Sequence, residues 1–140
     1  MIQTDRVEIR RELPAPIDEV FRWWTEAALL ERWMSPMGSV VAEVDPRVGG
    51  RLRIVMKDGP IEIEHGGEYV EIDPPRRVAF TWQSQFTDGP SLVSVSLEPS
   101  SESSTTAVVV HSKLPPAAVP SHAGGWGAML DRLGRELIAR

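Results

Sequence analysis

The chain has 140 residues, a formal net charge of −5 and no cysteine. That length is one domain, residues 1–140, large enough to bury a core without covalent staples. The missing thiols exclude disulfides, thiolate catalysis and Cys-ligated metals, and interspersed charges without a basic stripe argue against nucleic acid as a partner.

The N-terminus, Met1-Ile2-Gln3-Thr4-Asp5-Arg6, has no apolar signal core, and no apolar run approaches bilayer length. A cytoplasmic protein with no membrane insertion is expected. Val7, Ile9, Arg11 and Leu13 alternate with Glu8, Arg10 and Glu12, the period of a half-buried strand. Pro14 and Pro16 end it. Asp18 and Glu19 suit a first helical turn, and Val20, Trp23 and Trp24 follow at helical spacing. Thr25 is read as the cap of a second short helix carrying Leu29, Leu30 and Trp33, which Ser35-Pro36-Met37-Gly38 stops.

From Gly38 the pattern is strand-like for about seventy residues. The predicted strands are Val40 to Asp45, Arg51 to Lys57, Ile61 to Ile72, Arg77 to Gln85, Leu92 to Glu98 and Thr105 to Lys113. Asp58-Gly59-Pro60, Asp73-Pro74-Pro75 and Thr87-Asp88-Gly89-Pro90 read as turns. Gly66-Gly67, inside the longest strand, predicts a bulge. Short turns between consecutive strands favour an antiparallel meander. The last helix starts between Pro116 and Pro120, where proline is tolerated. Its stripe is Val119, His122, Trp126, Met129, Leu130, Leu133 and Leu137. Gly124, Gly125 and Gly127 are poor helix formers. Close approach to another backbone is the favoured reason for them, and room for a ligand beside Trp126 is the other.

These pieces resemble a family. Pro14-Ala15-Pro16-Ile17-Asp18-Glu19-Val20-Phe21-Arg22 leads to Leu30-Glu31-Arg32-Trp33. Asp45-Pro46-Arg47-Val48-Gly49-Gly50-Arg51 and Gly67-Glu68-Tyr69-Val70-Glu71-Ile72-Asp73-Pro74-Pro75-Arg76-Arg77 follow. Phe80-Thr81-Trp82, Thr106 to His111 and Gly125-Trp126 complete the order. The sequence is similar to the START-like superfamily, also called SRPBCC or Bet v 1-like. The branch it resembles is that of the C-terminal domain of the activator of heat-shock protein 90 ATPase. The resemblance implies an α+β helix-grip fold: about seven antiparallel strands curved around a long C-terminal helix, two short helices after the first strand, and an apolar cavity between sheet and helix. It settles no single function, because the superfamily includes carriers, receptors, cyclases and a co-chaperone domain.

On the strand pattern, Leu52, Ile54, Met56, Val70, Ile72, Val78, Phe80, Trp82, Val93, Val95 and Leu97 should face the helix. Trp33, Met34, Met56, Phe80, Trp82, Trp126 and Met129 are the candidate ligand-binding residues, because large aromatic and Met side chains suit an adaptable apolar pocket. Plain core is the alternative reading of each. Glu68, read in phase with Val70 and Ile72, is a candidate acid or base; pairing with Arg51 or Arg53 is the favoured alternative. His111 and His122 approach each other if the strand bearing His111 packs near the helix start, and His65 precedes the glycine pair. Their spacing lacks a metal-ligand signature, so no metal and no cofactor is expected. No GxSxG elbow, P-loop or dinucleotide fingerprint occurs.

Binding of a small hydrophobic or amphipathic ligand is therefore the leading expectation, with no catalytic residue assigned. A cyclase- or hydrolase-like enzyme using Glu68 or His111 is second. A chaperone-interacting module is third, because the activator carries a further N-terminal domain without a counterpart in this sequence. A homodimer through an exposed last strand, with Val108 and Val110 facing outward, is a further expectation.

Overall fold

The alternating segments pair as their periods require. In the computed structural model, which describes residues 5–87 and 89–140, seven antiparallel strands form one sheet. Residues 1–4, on which part of the N-terminal reading rests, and Asp88 of the predicted turn lie outside the described residues. β1 (Val7–Leu13) is followed by α1 (Ile17–Trp23) and α2 (Ala27–Leu30). Then come β2 (Ser39–Val44), β3 (Arg51–Asp58), β4 (Ile61–Asp73), β5 (Arg77–Trp82), β6 (Ser91–Ser101) and β7 (Ser104–Ser112). A 3-10 turn at Pro116–Ala118 leads into α3 (Val119–Ala139). The strand order is β1-β7-β6-β5-β4-β3-β2, a six-strand meander closed by β1 on its far side. The sheet curls around α3, whose Trp126, Met129, Leu130, Leu133 and Leu137 are buried against it. This is the α+β helix-grip arrangement expected from the sequence.

Three expectations need correction. Thr25 does not cap α2: its hydroxyl donates to the Phe21 carbonyl at 3.1 Å, and Glu26 precedes the helix. The bulge is not at Gly66-Gly67, which pair regularly with Arg53 and Leu52. It falls between Tyr69 and Glu71, leaving Val70 as the extra residue. The phase therefore changes at Val70. Ahead of it the odd residues face inward, so His65 and Tyr69 are buried while Glu68 and Val70 are exposed. Beyond it Ile72 packs on the core. Finally, β7 is not an edge: it pairs with both β1 and β6, so the free edges are β1 and β2. Pairing through Val108 and Val110 on a free last strand is thereby lost.

Gly67 is required by close approach. A Cβ there would lie 1.9 Å from the Thr81 carbonyl oxygen, where β5 crosses β4. The tryptophans at the end of α1 and after α2 fill the end of the sheet beside α3. Trp24 meets Trp33 edge-on at 4.6 Å and stacks on Trp126 at 6.0 Å. Trp33 donates its indole N–H to the Trp23 carbonyl at 3.0 Å. Arg132 of α3 donates to the Ser35 and Gly38 carbonyls at 3.2 and 3.0 Å, fixing the turn before β2 to the helix.

Candidate functional site

The C-terminal half of α3 packs through Leu130, Leu133 and Leu137, all essentially inaccessible. The N-terminal half carries glycine where the apolar stripe would continue, and there helix and sheet part. The space between them is a cavity of about 260 Å³. β3 contributes Met56, β4 contributes Ile63 and His65, and β5 contributes Trp82. Helix α3 contributes Ser121, His122, Gly125, Trp126 and Met129, while Pro36 and the half-exposed Phe86 stand on loops at its border.

Of the seven candidate residues, Met56, Trp82, Trp126 and Met129 line this space. Trp33, Met34 and Phe80 do not; all three are buried in the packed core. Phe80 shares the face of Trp82 but sits two residues further from Phe86, between Tyr69 and Trp82, with ring centroids 6.0 and 5.9 Å away. Trp33 is held by its bond to Trp23 and its edge contact with Trp24. His65 borders the cavity as well, and it lies ahead of the bulge whether that falls at Gly66-Gly67 or at Val70. The run Ile61-Glu62-Ile63-Glu64-His65 carries the signal: apolar residues at odd positions put His65 on the inward face.

Glu68 brings no carboxylate to the cavity. It is exposed on the outer face, a consequence of the phase before the bulge. Of its two suggested partners, Arg53 binds Glu43 and Glu64 instead, each at 2.9 Å, and Arg51 stands opposite Glu68 in the β3–β4 register without forming an ion pair with it.

His111 is fully buried and belongs to a chain of hydrogen bonds with a defined direction. The Trp126 indole N–H has no alternative but to donate, so His111 Nδ1 accepts, at 3.0 Å. His111 then carries its proton on Nε2, which donates to Ser91 Oγ at 2.7 Å. Ser91 passes its own proton to the Trp82 carbonyl at 2.6 Å. The chain joins α3, β7, β6 and β5, and leaves every member satisfied. Both ring nitrogens of His111 are spent, so it has no lone pair for a metal and no site for proton transfer to a ligand. Its ring lies 5.1 Å from that of His122, as the sequence suggested. Burial, then repulsion from His122 and His65, holds the His111 imidazole down at about 3.

His65 stacks on Trp82 at 4.5 Å and 23°. Burial pushes its pKa down to about 4, against the opposing effect of its bond to the Ile54 carbonyl. It is therefore a neutral ring at pH 7.

The glycines of α3 have no steric necessity. A Cβ at Gly124 would meet nothing within 4 Å, one at Gly125 only Pro36 Cγ at 3.9 Å, and one at Gly127 only Arg11 Nη2 at 3.7 Å. Close backbone approach, the favoured reason in the sequence, is thus not why they are there. At Gly125 the missing side chain is cavity space.

Comparison with known proteins fits this architecture. A Nitrosomonas europaea protein of known structure superimposes with a TM-score of 0.80 at 25% identity, covering 96% of this chain and 94% of that one. A Chromobacterium violaceum protein gives 0.79 at 27% identity, over 93% and 95% of the two chains. An Hsp90 activator from Plasmodium falciparum gives 0.65 at 27% identity, over 91% and 83%. A search among curated proteins found no match. The sequence profile described as Activator of Hsp90 ATPase homolog 1-like protein matches residues 14–137. That span runs from the approach to α1 to the end of the packed stripe on α3 and takes in every residue that borders the cavity, and the chain belongs to this family.

Proposed function

We propose that this domain binds a small apolar or amphipathic molecule in the cavity between sheet and α3, without chemical transformation. The observation that carries this reading is the glycine wall. The helix gives up stability at Gly125, and what it gains is open volume facing Trp82 and Met56. A dry cavity of about 150 Å³ is enough to hold benzene, so about 260 Å³ suits a molecule of about two rings. The absence of a free acid or base at Glu68 or His111 supports binding over a cyclase- or hydrolase-like reaction.

Substitution of Gly125 by leucine tests the reading. The added side chain enters open space, and leucine favours the helix over glycine. Unfolding stability should hold within about 1 kcal/mol, while binding of the neutral two-ring fluorophore 1-naphthylamine should disappear. Strong destabilisation, with no probe bound by the parent protein, would mean that the glycines serve packing and that the space is not a ligand site.

A second reading, contact with an Hsp90-type chaperone, draws its support from the family and from the Plasmodium falciparum activator. Co-sedimentation with the chaperone and a change in its ATPase rate would favour it. Either reading suits a cytoplasmic domain: cysteine is absent, and no helix among the described residues is long and apolar enough to cross a membrane.

A further inference from the structure

The polar atoms of the cavity wall have an unusual bias. His65 Nδ1 lies 3.3 Å from the Ile54 carbonyl oxygen, and a carbonyl only accepts. The Nδ1 proton is therefore committed there, and Nε2 is left as a bare lone pair. His122 repeats the arrangement on the opposite wall: its Nδ1 donates to the Ala118 carbonyl at 2.8 Å, so that in the neutral imidazole Nε2 is an acceptor. Ser121 spends its hydroxyl proton on the same Ala118 carbonyl at 3.0 Å. Neither histidine Nε2 has a protein partner among the described residues. Three polar side chains of the lining, from two elements, thus spend their protons on backbone carbonyls and keep only acceptor capacity. Trp126 gives its N–H to His111, so Trp82 Nε1, without a protein partner among the described residues, is the remaining indole donor of the wall. No Arg or Lys lines the cavity.

Resting on the cavity reading above, we infer that His65 and His122 select a neutral ligand that donates a hydrogen bond, an aromatic or alicyclic alcohol of about two rings, and reject carboxylates. A hydroxyl gives one proton and takes another, which matches one of the two imidazole lone pairs together with the indole N–H. A carboxylate brings only lone pairs, and it would face acceptors in a desolvated site without a countercharge. Burial keeps His65 neutral well below pH 7, so it does not become a donor under ordinary conditions.

The test is equilibrium dialysis of the whole protein at pH 7.5 with 2-naphthol, naphthalene and 2-naphthoate, which share a body and differ in the polar group. The expected order is 2-naphthol tightest, about three- to tenfold ahead of naphthalene, the range one net hydrogen bond gives. 2-Naphthoate should bind weakest. In His65→Phe, which keeps an aromatic ring against Trp82, and in His122→Leu, the naphthol advantage should shrink toward one while naphthalene still binds. Equal binding of naphthol and naphthalene by the parent, or naphthoate binding best, would overturn the selection by histidine and leave the cavity reading standing. A naphthol advantage that survives both substitutions would overturn it too. Failure of all three compounds to bind would remove the cavity reading and this inference together. The parent measurements decide the ligand class even where a variant does not fold.

Discussion

Acidification from pH 7.5 to 5 should destabilise this domain by an amount set by two buried imidazoles. In the unfolded chain His65 and His111 titrate near 6.5; in the folded protein burial depresses them to about 4 and about 3. Below pH 6.5 the unfolded state therefore binds protons that the folded state refuses. Stability must fall as pH falls, and the full contribution is present only above 6.5. Each group contributes about 1.4 kcal/mol per pH unit over the interval between its two values. From pH 7.5 to 5 the loss is about 2 kcal/mol for each histidine, so about 4 kcal/mol together. That is a large share of the roughly 5–15 kcal/mol available to a domain.

Urea denaturation followed by tryptophan fluorescence at several pH values measures this directly, since Trp82 and Trp126 touch the two histidines. His65→Phe should remove about half of the pH dependence, because the phenyl ring keeps the stack and loses the titration. A stability that changes by less than about 1 kcal/mol between pH 7.5 and 5 would refute the reasoning, for it would mean that the rings are hydrated and free to charge.

Other substitutions probe the remaining links. Trp82→Ala, at a residue only 3% exposed, should cost about 3–5 kcal/mol in urea denaturation; unchanged melting would contradict the inward face of β5. Ser91→Ala leaves the His111 Nε2–H without its acceptor and should cost about 1–3 kcal/mol; a neutral result in thermal melts would show that the hydrogen-bond chain does not hold the four elements together. Gly67→Ala should be severe, because the methyl would lie 1.9 Å from the Thr81 oxygen, whereas Gly124→Ala should stabilise the protein by up to about 1 kcal/mol; comparing the two melting temperatures tests which glycines are structural.

Much of the fold is legible because strand period and turn chemistry are local. The alternation through Leu52 and Ile54 and through Val93, Val95 and Leu97, with the turn at Asp58-Gly59-Pro60, leaves little choice of pairing. β4 is less legible. Its two glycines suggest a bulge, but the pairing places it at Val70, where β4 passes from its register with β3 to its register with β5. That shift depends on two neighbouring strands, and no feature of Gly66-Gly67 reports it. The same long-range dependence hid the edge position of β1, since nothing in Val7–Leu13 says that it pairs with β7 across about 100 residues. The four cavity residues found in the sequence are large side chains on the faces of Met56, Trp82 and α3. The others are loop residues (Pro36 and Phe86), the β4 residues Ile63 and His65 ahead of the bulge, and the small or polar residues Ser121, His122 and Gly125 of α3, which do not stand out as large apolar side chains on a helix face.

The departures from local rules gather in one place. A helix with an apolar stripe should not carry three glycines within four residues, at a cost approaching 1 kcal/mol each. None is needed for clearance, since the nearest atom to any of the three added Cβ positions is 3.7 Å away. A sheet lining should not bury histidine, yet His65 and His111 are both inside and both neutral. The two histidines are treated differently. His111 is satisfied at both nitrogens, and its role is to tie α3 to the sheet. His65 is satisfied at one nitrogen, while the other has no protein partner among the described residues in a ring that borders the cavity. Packing alone explains the first arrangement and not the second. A lone pair left uncommitted beside a void, under a helix weakened to make that void, is the pattern expected where a protein keeps room and a contact for something other than itself.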